Sequence, residues 1–255
     1  MMDQQELSVK QFGASAANYL TSAVHAQGKD LERLSAIAEQ TKPAWVLDLG
    51  CGAGHASFAL ARGGARRITA FDPSPDMLAV VAGEATIRGH DAIKTLVGSA
   101  EELPFEGGSF DLVVTRYSAH HWASVSRALA ESARVLVSRG QLVIIDVIAP
   151  ETPLFDTALQ VIEFLRDASH VRDYRLSEGS AMLKHAGFAE PAMTTWPTPI
   201  EFKSWISRIG TPPARVSALR TVLAELPDEV RQQFRIDAGL SFVTDSAMLE
   251  SVKSQ

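Results

Sequence analysis

Between residues 44 and 147 the chain alternates short runs rich in aliphatic and β-branched residues with stretches of helical periodicity, and this alternation restricts its fold more than any other feature. The apolar runs are Ala44 to Leu49, Arg67 to Phe71, Ile93 to Val97, Phe110 to Thr115 and Gln141 to Val147. Helical stretches lie between them near His55 to Arg62, Pro75 to Gly89 and Ser124 to Val137, with Gly63-Gly64 and Arg139-Gly140 as stops. Strands that are apolar throughout are covered on both faces, which implies a parallel sheet with right-handed crossovers. The expectation is an α/β, doubly wound domain that binds its ligand at the carboxyl ends of the strands.

The flanks read differently. Leu31, Leu34, Ile37 and Ala38 recur at helical spacing, so the first forty residues are expected to form helices over the sheet edge. After residue 150 come a helix from Pro153 to Ala168, another from Ser177 to Ala186 ending at Gly187, and a strand near Ala192 to Trp196. Residues 200 to 236 read as helices broken by Gly210, Pro212, Pro213 and Pro227, with a last strand from Ser246 to Val252. At 255 residues this is one domain in three parts: a helical cover over 1–43, a ligand-binding core over 44–150, and a cap with the last strands over 151–255. The late helices are candidates for a substrate lid.

Composition removes several function classes. A hydrophobic fraction of 46% with 21% charged residues is ordinary for a globular protein, and a net charge of −6 lacks the basic excess that binding nucleic acid needs. No run of eighteen apolar residues occurs and the first ten residues are polar, so neither a membrane span nor a secretory signal is expected and the location reads as cytoplasmic. Cys51 is the one cysteine, so no internal disulfide forms; between two glycines it reads as a small loop residue, and a nucleophilic role would need a base such as His55.

The segment AWVLDLGCGAGHASFALA holds a strand, then Gly50, Gly52 and Gly54, then a helix. Without a Cβ the backbone turns sharply and admits a ligand beside the amides that open the helix. Asp48 stands at the end of the strand, and Asp72 closes the next strand, placed to accept hydrogen bonds from both hydroxyls of a ribose. A dinucleotide fingerprint needs glycine where this chain has His55, and Asp48 would repel a pyrophosphate. An ammonium or sulfonium group reverses that sign, so the pattern prefers a positively charged nucleoside.

VLDLGCGAG, then FDPSPDML, then GSAEELPFEGGSFDLVVTRYSAHHW resembles the class I S-adenosylmethionine-dependent methyltransferases, in the branch of the ubiquinone and menaquinone C-methyltransferases. The resemblance covers roughly residues 10 to 150 and implies a Rossmann-like, mostly parallel seven-stranded sheet with helices on both faces and a helical cap. It implies that Gly50, Cys51 and Gly52 line the methionine part of the cofactor, that Asp48 lies near its ammonium group, and that Asp72 holds the ribose, with Pro73 beside it. Met77 would face the adenine, unless it is simple helix core. An aspartate is common in the family where this chain has Ser99, so the adenine contact falls to Ser99, Ala100 or Glu101. Upstream, QFGASAANYLTSAVHAQG resembles the N-terminal helix that closes over the cofactor in related enzymes; Tyr19 matches a tyrosine there that contacts the methionine carboxylate, and His25 is a further candidate.

The run from Thr115 to Trp122 is too polar and aromatic to be core alone and should sit beside the transferable methyl group. In that branch its first residues, here Arg116, touch the cofactor, and later ones, such as Tyr117 and Trp122, face the acceptor. His120 or His121 would deprotonate an acceptor, or cap the following helix. His170 and Arg172, and Trp205 with Arg208, are candidates for an acceptor pocket, against a simpler reading as links between helices. The two adjacent histidines lack a carboxylate at ligand spacing, so no metal is expected.

The reaction so read is an in-line methyl transfer to a small, quinone-like or otherwise aromatic acceptor, releasing S-adenosylhomocysteine, with positioning as the main source of rate. The rivals are a protein that binds S-adenosylmethionine without catalysis and a nicotinamide-dependent oxidoreductase. Fold does not fix the acceptor, and oligomeric state has no signature in the sequence.

Overall fold

The computed structural model describes residues 2–13 and 28–254. Helices α1 (Gln4–Gly13) and α2 (Lys29–Thr41) precede an alternating core: β1 (Val46–Leu49), α3 (His55–Arg62), β2 (Ile68–Asp72), α4 (Pro75–Arg88), β3 (Ile93–Val97), β4 (Phe110–Arg116), a 3-10 turn (Ala119–His121), α5 (Val125–Val135) and β5 (Leu136–Ala149). The remainder is α6 (Pro153–Arg166), β6 (Tyr174–Arg175), α7 (Leu176–His185), β7 (Ala192–Ile200), α8 (Phe202–Arg208), α9 (Pro213–Glu225), α10 (Asp228–Gln233) and β8 (Phe242–Val252).

Seven strands run in the order β3-β2-β1-β4-β5-β8-β7, and the two-residue β6 pairs β5 beyond the end of β4. Only β8 opposes the others, pairing antiparallel with β5 and β7. This is the mostly parallel, Rossmann-like sheet expected. Strand order reverses between β1 and β4, which opens a crevice at their carboxyl ends.

All four residues of β1 are buried, as an apolar strand in mid-sheet requires. Its start is fixed by Asp111, whose Oδ2 accepts the Ala44 and Trp45 amides at 2.9 and 2.8 Å. At the edge β3 departs from the expectation: Lys94 to Val97 are exposed, because no strand lies outside them. β7 forms the other edge and there extends through Pro197 and Pro199, which only an edge strand accommodates easily.

The sequence expectations need three corrections here. Leu31, Leu34 and Ile37 of α2 share a core with Val46, Leu112 and Val143 of three different strands, so α2 covers a face of the sheet rather than its edge. Arg139-Gly140 does not end a helix: α5 stops where Leu136 turns extended, and Arg139, at φ 62°, sits in an irregularity where the β4–β5 register shifts. The late helices build a separate core with α6, around Leu159, Phe202, Trp205, Leu219 and Phe242. They are a packed cap with its own apolar centre.

Candidate functional site

Gly50, Gly52 and Gly54 all have positive φ, at 68, 50 and 84°, so the chain leaves β1 through three left-handed residues that glycine adopts without strain. A Cβ on Gly50 would stand 1.9 Å from Ser118 Oγ, because the turn after β4 crosses that close. Gly52 is the reverse case. A Cβ there meets nothing within 4 Å, since this glycine faces an open cleft.

The cleft opens to solvent at the carboxyl ends of β1, β2 and β4. Asp48 lies fully buried at its base, where Oδ2 accepts the Ser57 amide (2.9 Å) and hydroxyl (2.6 Å). Its Oδ1 is equally buried and has no hydrogen-bond partner. Burial pushes the carboxyl up to about 6 against the two Ser57 hydrogen bonds, so at pH 7 it is mostly an anion awaiting a donor.

Asp72 ends β2. Its Oδ2 accepts the Gly52 amide and Oδ1 the Ser74 amide, both at 2.9 Å, which ties the glycine loop to the start of α4. Burial raises this carboxyl to about 6 as well. Pro73 and Met77 line the same wall, and Met77 also packs on Ala53. Cys51 lines the cleft with its thiol held protonated by burial, then by Asp72 and Asp48, which excludes it as a nucleophile at neutral pH.

Ser99, Ala100 and Glu101 line the cleft next to Asp72, whose carbonyl accepts the Gly98 amide at 3.2 Å. Glu101 has structural duties: Oε2 accepts the Ser99 hydroxyl at 2.7 Å and Oε1 the Ser124 amide at 2.9 Å, at the start of α5. Arg116 lines the cleft, but its Nε donates to Asp30 Oδ2 at 2.6 Å, an ion pair buried on both sides that fastens α2 to β4. Tyr117 follows at φ 51°, an uncommon conformation for a bulky residue, and with Trp122 forms part of the aromatic wall.

The two histidines separate. His121 lines the cleft, its Nδ1 3.0 Å from the Ser169 carbonyl and its ring edge-on to Phe12 at 4.8 Å. Burial and then the charge on His120 press it down to about 4, so it is neutral at pH 7. His120 instead lines a second, apolar cavity between α5 and α7, with Nδ1 2.6 Å from Asp146 Oδ1. Burial opposes its charge, but Asp146 and more distant carboxylates outweigh that and raise it to about 9.

Four expected acceptor residues do not reach the cleft. Arg172 bridges Asp156 and Glu178, at 2.8 and 3.3 Å. His170 is buried against Gln160 Oε1 at 3.0 Å. Trp205 is core, edge-on to Phe242, and Arg208 on the same helix is absent from the lining. Among the described residues none beyond Ala123 lines the cleft. Tyr19 and His25 lie outside the described residues.

The roof is α1, Gln4–Gly13, which overlaps only the first residues of the segment from Gln11 that the resemblance marked as a helix closing over the cofactor. Gln4, Gln5, Ser8, Val9 and Phe12 line the cleft from above. Gln4 Nε2 donates to the Ser169 carbonyl at 2.5 Å and the His121 carbonyl at 3.3 Å, and Gln11 Nε2 to the Ile209 carbonyl at 2.8 Å. The available signal was a polar helix bearing Val9 and Phe12 on one side.

A general methyltransferase domain matches residues 47–144 of the chain. Over 247 residues the chain is 35% identical to the uncharacterized methyltransferase YcgJ of Bacillus subtilis (strain 168), covering 95% of this chain and 97% of that protein. The crystal structure of YcgJ agrees with a TM-score of 0.81 at 32% identity, over 88% of this chain and 99% of that one. The ubiquinone/menaquinone biosynthesis C-methyltransferase UbiE of Rhizobium johnstonii is 28% identical over 199 residues, 69% of this chain and 77% of that protein. The fold, the glycine cleft and these likenesses together establish that the chain belongs to the class I S-adenosylmethionine-dependent methyltransferases.

Proposed function

We propose that the enzyme methylates a planar aromatic small molecule of the quinone type, bound between α1 and the turn after β4. The observation that carries this reading is the lining of the cleft. Val9, Phe12, Tyr117, His121 and Trp122 give it an apolar and aromatic wall beside the glycine loop. A flat apolar molecule buries both faces against such a wall. The likeness to a quinone methyltransferase points the same way, and a net charge of −6 favours a small molecule over nucleic acid.

The residues present suit the cofactor. Asp48 Oδ1, buried and unpartnered, is matched by an ammonium; Asp72 by ribose hydroxyls; Met77 and the Ser99–Glu101 wall by an adenine. When bound, S-adenosylmethionine supplies an electrophilic methyl on a sulfonium. The chain's part is to hold the acceptor in line with that methyl and exclude water, worth several orders of magnitude in rate without a strong base. His121 is neutral and lines the cleft, although its Nε2 lies 3.9 Å from the buried Asp167 Oδ2, whereas charged, Asp146-bound His120 has no lone pair to offer a proton.

Incubation of the full chain with S-adenosylmethionine and a panel of reduced naphthoquinols, benzoquinols, catechols and alkylamines tests the reading by mass spectrometry. Methylated quinols or catechols are expected. Turnover of the alkylamines alone overturns the aromatic assignment.

A further inference from the structure

No described residue beyond Ala123 lines the cleft, yet the segment that follows α6 fastens two of its walls. Ser169, fully buried, presents its carbonyl to both: it accepts Gln4 Nε2 of the roof helix at 2.5 Å and lies 3.0 Å from His121 Nδ1 of the turn after β4. A carbonyl only accepts, so Nδ1 carries the proton of the neutral His121 ring and Nε2 is left bare. Just beyond, the Val171 and Arg172 amides donate to the His120 carbonyl at 2.8 and 3.2 Å, which ties down the same turn.

What holds Ser169 is Asp167, which caps the carboxyl end of α6 and is 1% exposed. Its Oδ1 accepts the Ser169 amide at 2.8 Å and the Ser169 hydroxyl at 2.7 Å, and its own amide donates to the Glu163 carbonyl at 2.9 Å in the last turn of the helix. With backbone and side chain gripped together, turning the Ser169 carbonyl away strains both bonds. The contacts thus run from α6 through Asp167 to Ser169, and from one carbonyl oxygen to the roof and the aromatic wall at once.

We propose that Asp167 is a positioning residue for the acceptor site: through Ser169 it sets the carbonyl to which α1 and His121 are both fastened, so the cap governs acceptor binding from outside the cleft. This rests on the acceptor reading above. The glycine loop is fastened elsewhere, to Asp72 and through it to Ser74, so cofactor affinity is independent of Asp167.

Asp167→Ala removes the clamp, whereas Asp167→Asn keeps an oxygen for the two Ser169 donors and turns its amide to the bare His121 Nε2, which is 3.9 Å from the carboxylate's Oδ2. The test on the full chain combines steady-state kinetics with the panel member that is turned over, calorimetric titration with S-adenosylhomocysteine, and nitrogen NMR spectra of isotope-labelled histidine, with His121 assigned by its loss in His121→Gln. Asp167→Ala is expected to raise the acceptor's KM about tenfold with little change in kcat, and to leave the Kd for S-adenosylhomocysteine within about twofold. It should also turn His121 from a single Nδ1–H tautomer into a mixture, and Asp167→Asn should recover both KM and tautomer. Ser169→Ala, which gives up only the hydroxyl bond of the clamp, is expected to raise KM less, and carries the test if Asp167→Ala does not fold. An unchanged KM in the alanine variants, an equal rise in Asp167→Asn, an equal loss of S-adenosylhomocysteine affinity, or an Nε2–H tautomer in the unmodified chain overturns the inference alone. If the unmodified chain methylates no member of the panel, the acceptor reading falls and this inference with it.

Discussion

The imidazoles of His120 and His121 lie 4.2 Å apart with planes tilted by 54°, yet they serve different cavities. His120 is pinned to Asp146 and charged; that charge, with burial, keeps His121 neutral. Two like charges at this distance in a buried site are not held together, so the proton belongs to the member that has the carboxylate.

The His120–Asp146 pair makes stability depend on alkaline pH. The folded-state value of about 9 lies above the ordinary 6.5, so the contribution is fully present below pH 6.5 and is lost as pH rises through 9. It amounts to at most about 3 kcal/mol. Urea unfolding between pH 6.5 and 9.5 should show this decline, and Asp146→Asn should flatten it; a variant with the same slope as the unmodified chain refutes the assignment.

Affinity for the cofactor should fall in acid. Asp48 and Asp72 both titrate near 6, and each loses its attraction for a cationic or hydrogen-bond-donating ligand on protonation. Calorimetry from pH 7.5 to 5 is expected to show Kd rising by up to about tenfold per pH unit for each group that must be ionised. Asp48→Asn should bind more weakly at pH 7.5 and show a shallower pH dependence. A flat profile for the unmodified chain would contradict the role of both carboxylates.

Asp72→Ala removes a carboxylate that receives the Gly52 and Ser74 amides and faces the cleft. Cofactor binding is expected to weaken by about 1.5–3 kcal/mol, the range for a charge-assisted hydrogen bond. Direct titration with S-adenosylmethionine measures this, and an unchanged Kd would show that the ribose lies elsewhere.

Gly50→Ala should disrupt the loop twice over, through its φ of 68° and through collision with Ser118 Oγ and Cβ at 1.9 and 2.7 Å. A loss of about 2–4 kcal/mol in unfolding free energy is expected. Removing the obstacle with Ser118→Gly should recover the steric share only, about half. Full additivity of the two substitutions in a double-mutant cycle would mean that the chains do not approach this closely.

The alternation of apolar runs and helices, the glycine turn and its two aspartates were legible in the sequence because they depend on neighbours along the chain. Periodicity placed β1 to β4 within two residues of their observed bounds, and positive φ at Gly50, Gly52 and Gly54 follows from a turn that must be tight. Tertiary packing decided the rest. Nothing local distinguishes His120 from His121, or reveals that Arg172 spends its charge on Asp156 and Glu178, that Trp205 is core, or that Gln4, Gln5, Ser8 and Val9 line the cleft. Those outcomes turn on which distant groups packing brings within hydrogen-bonding range of a side chain, and such distances are fixed only once the sheet is assembled.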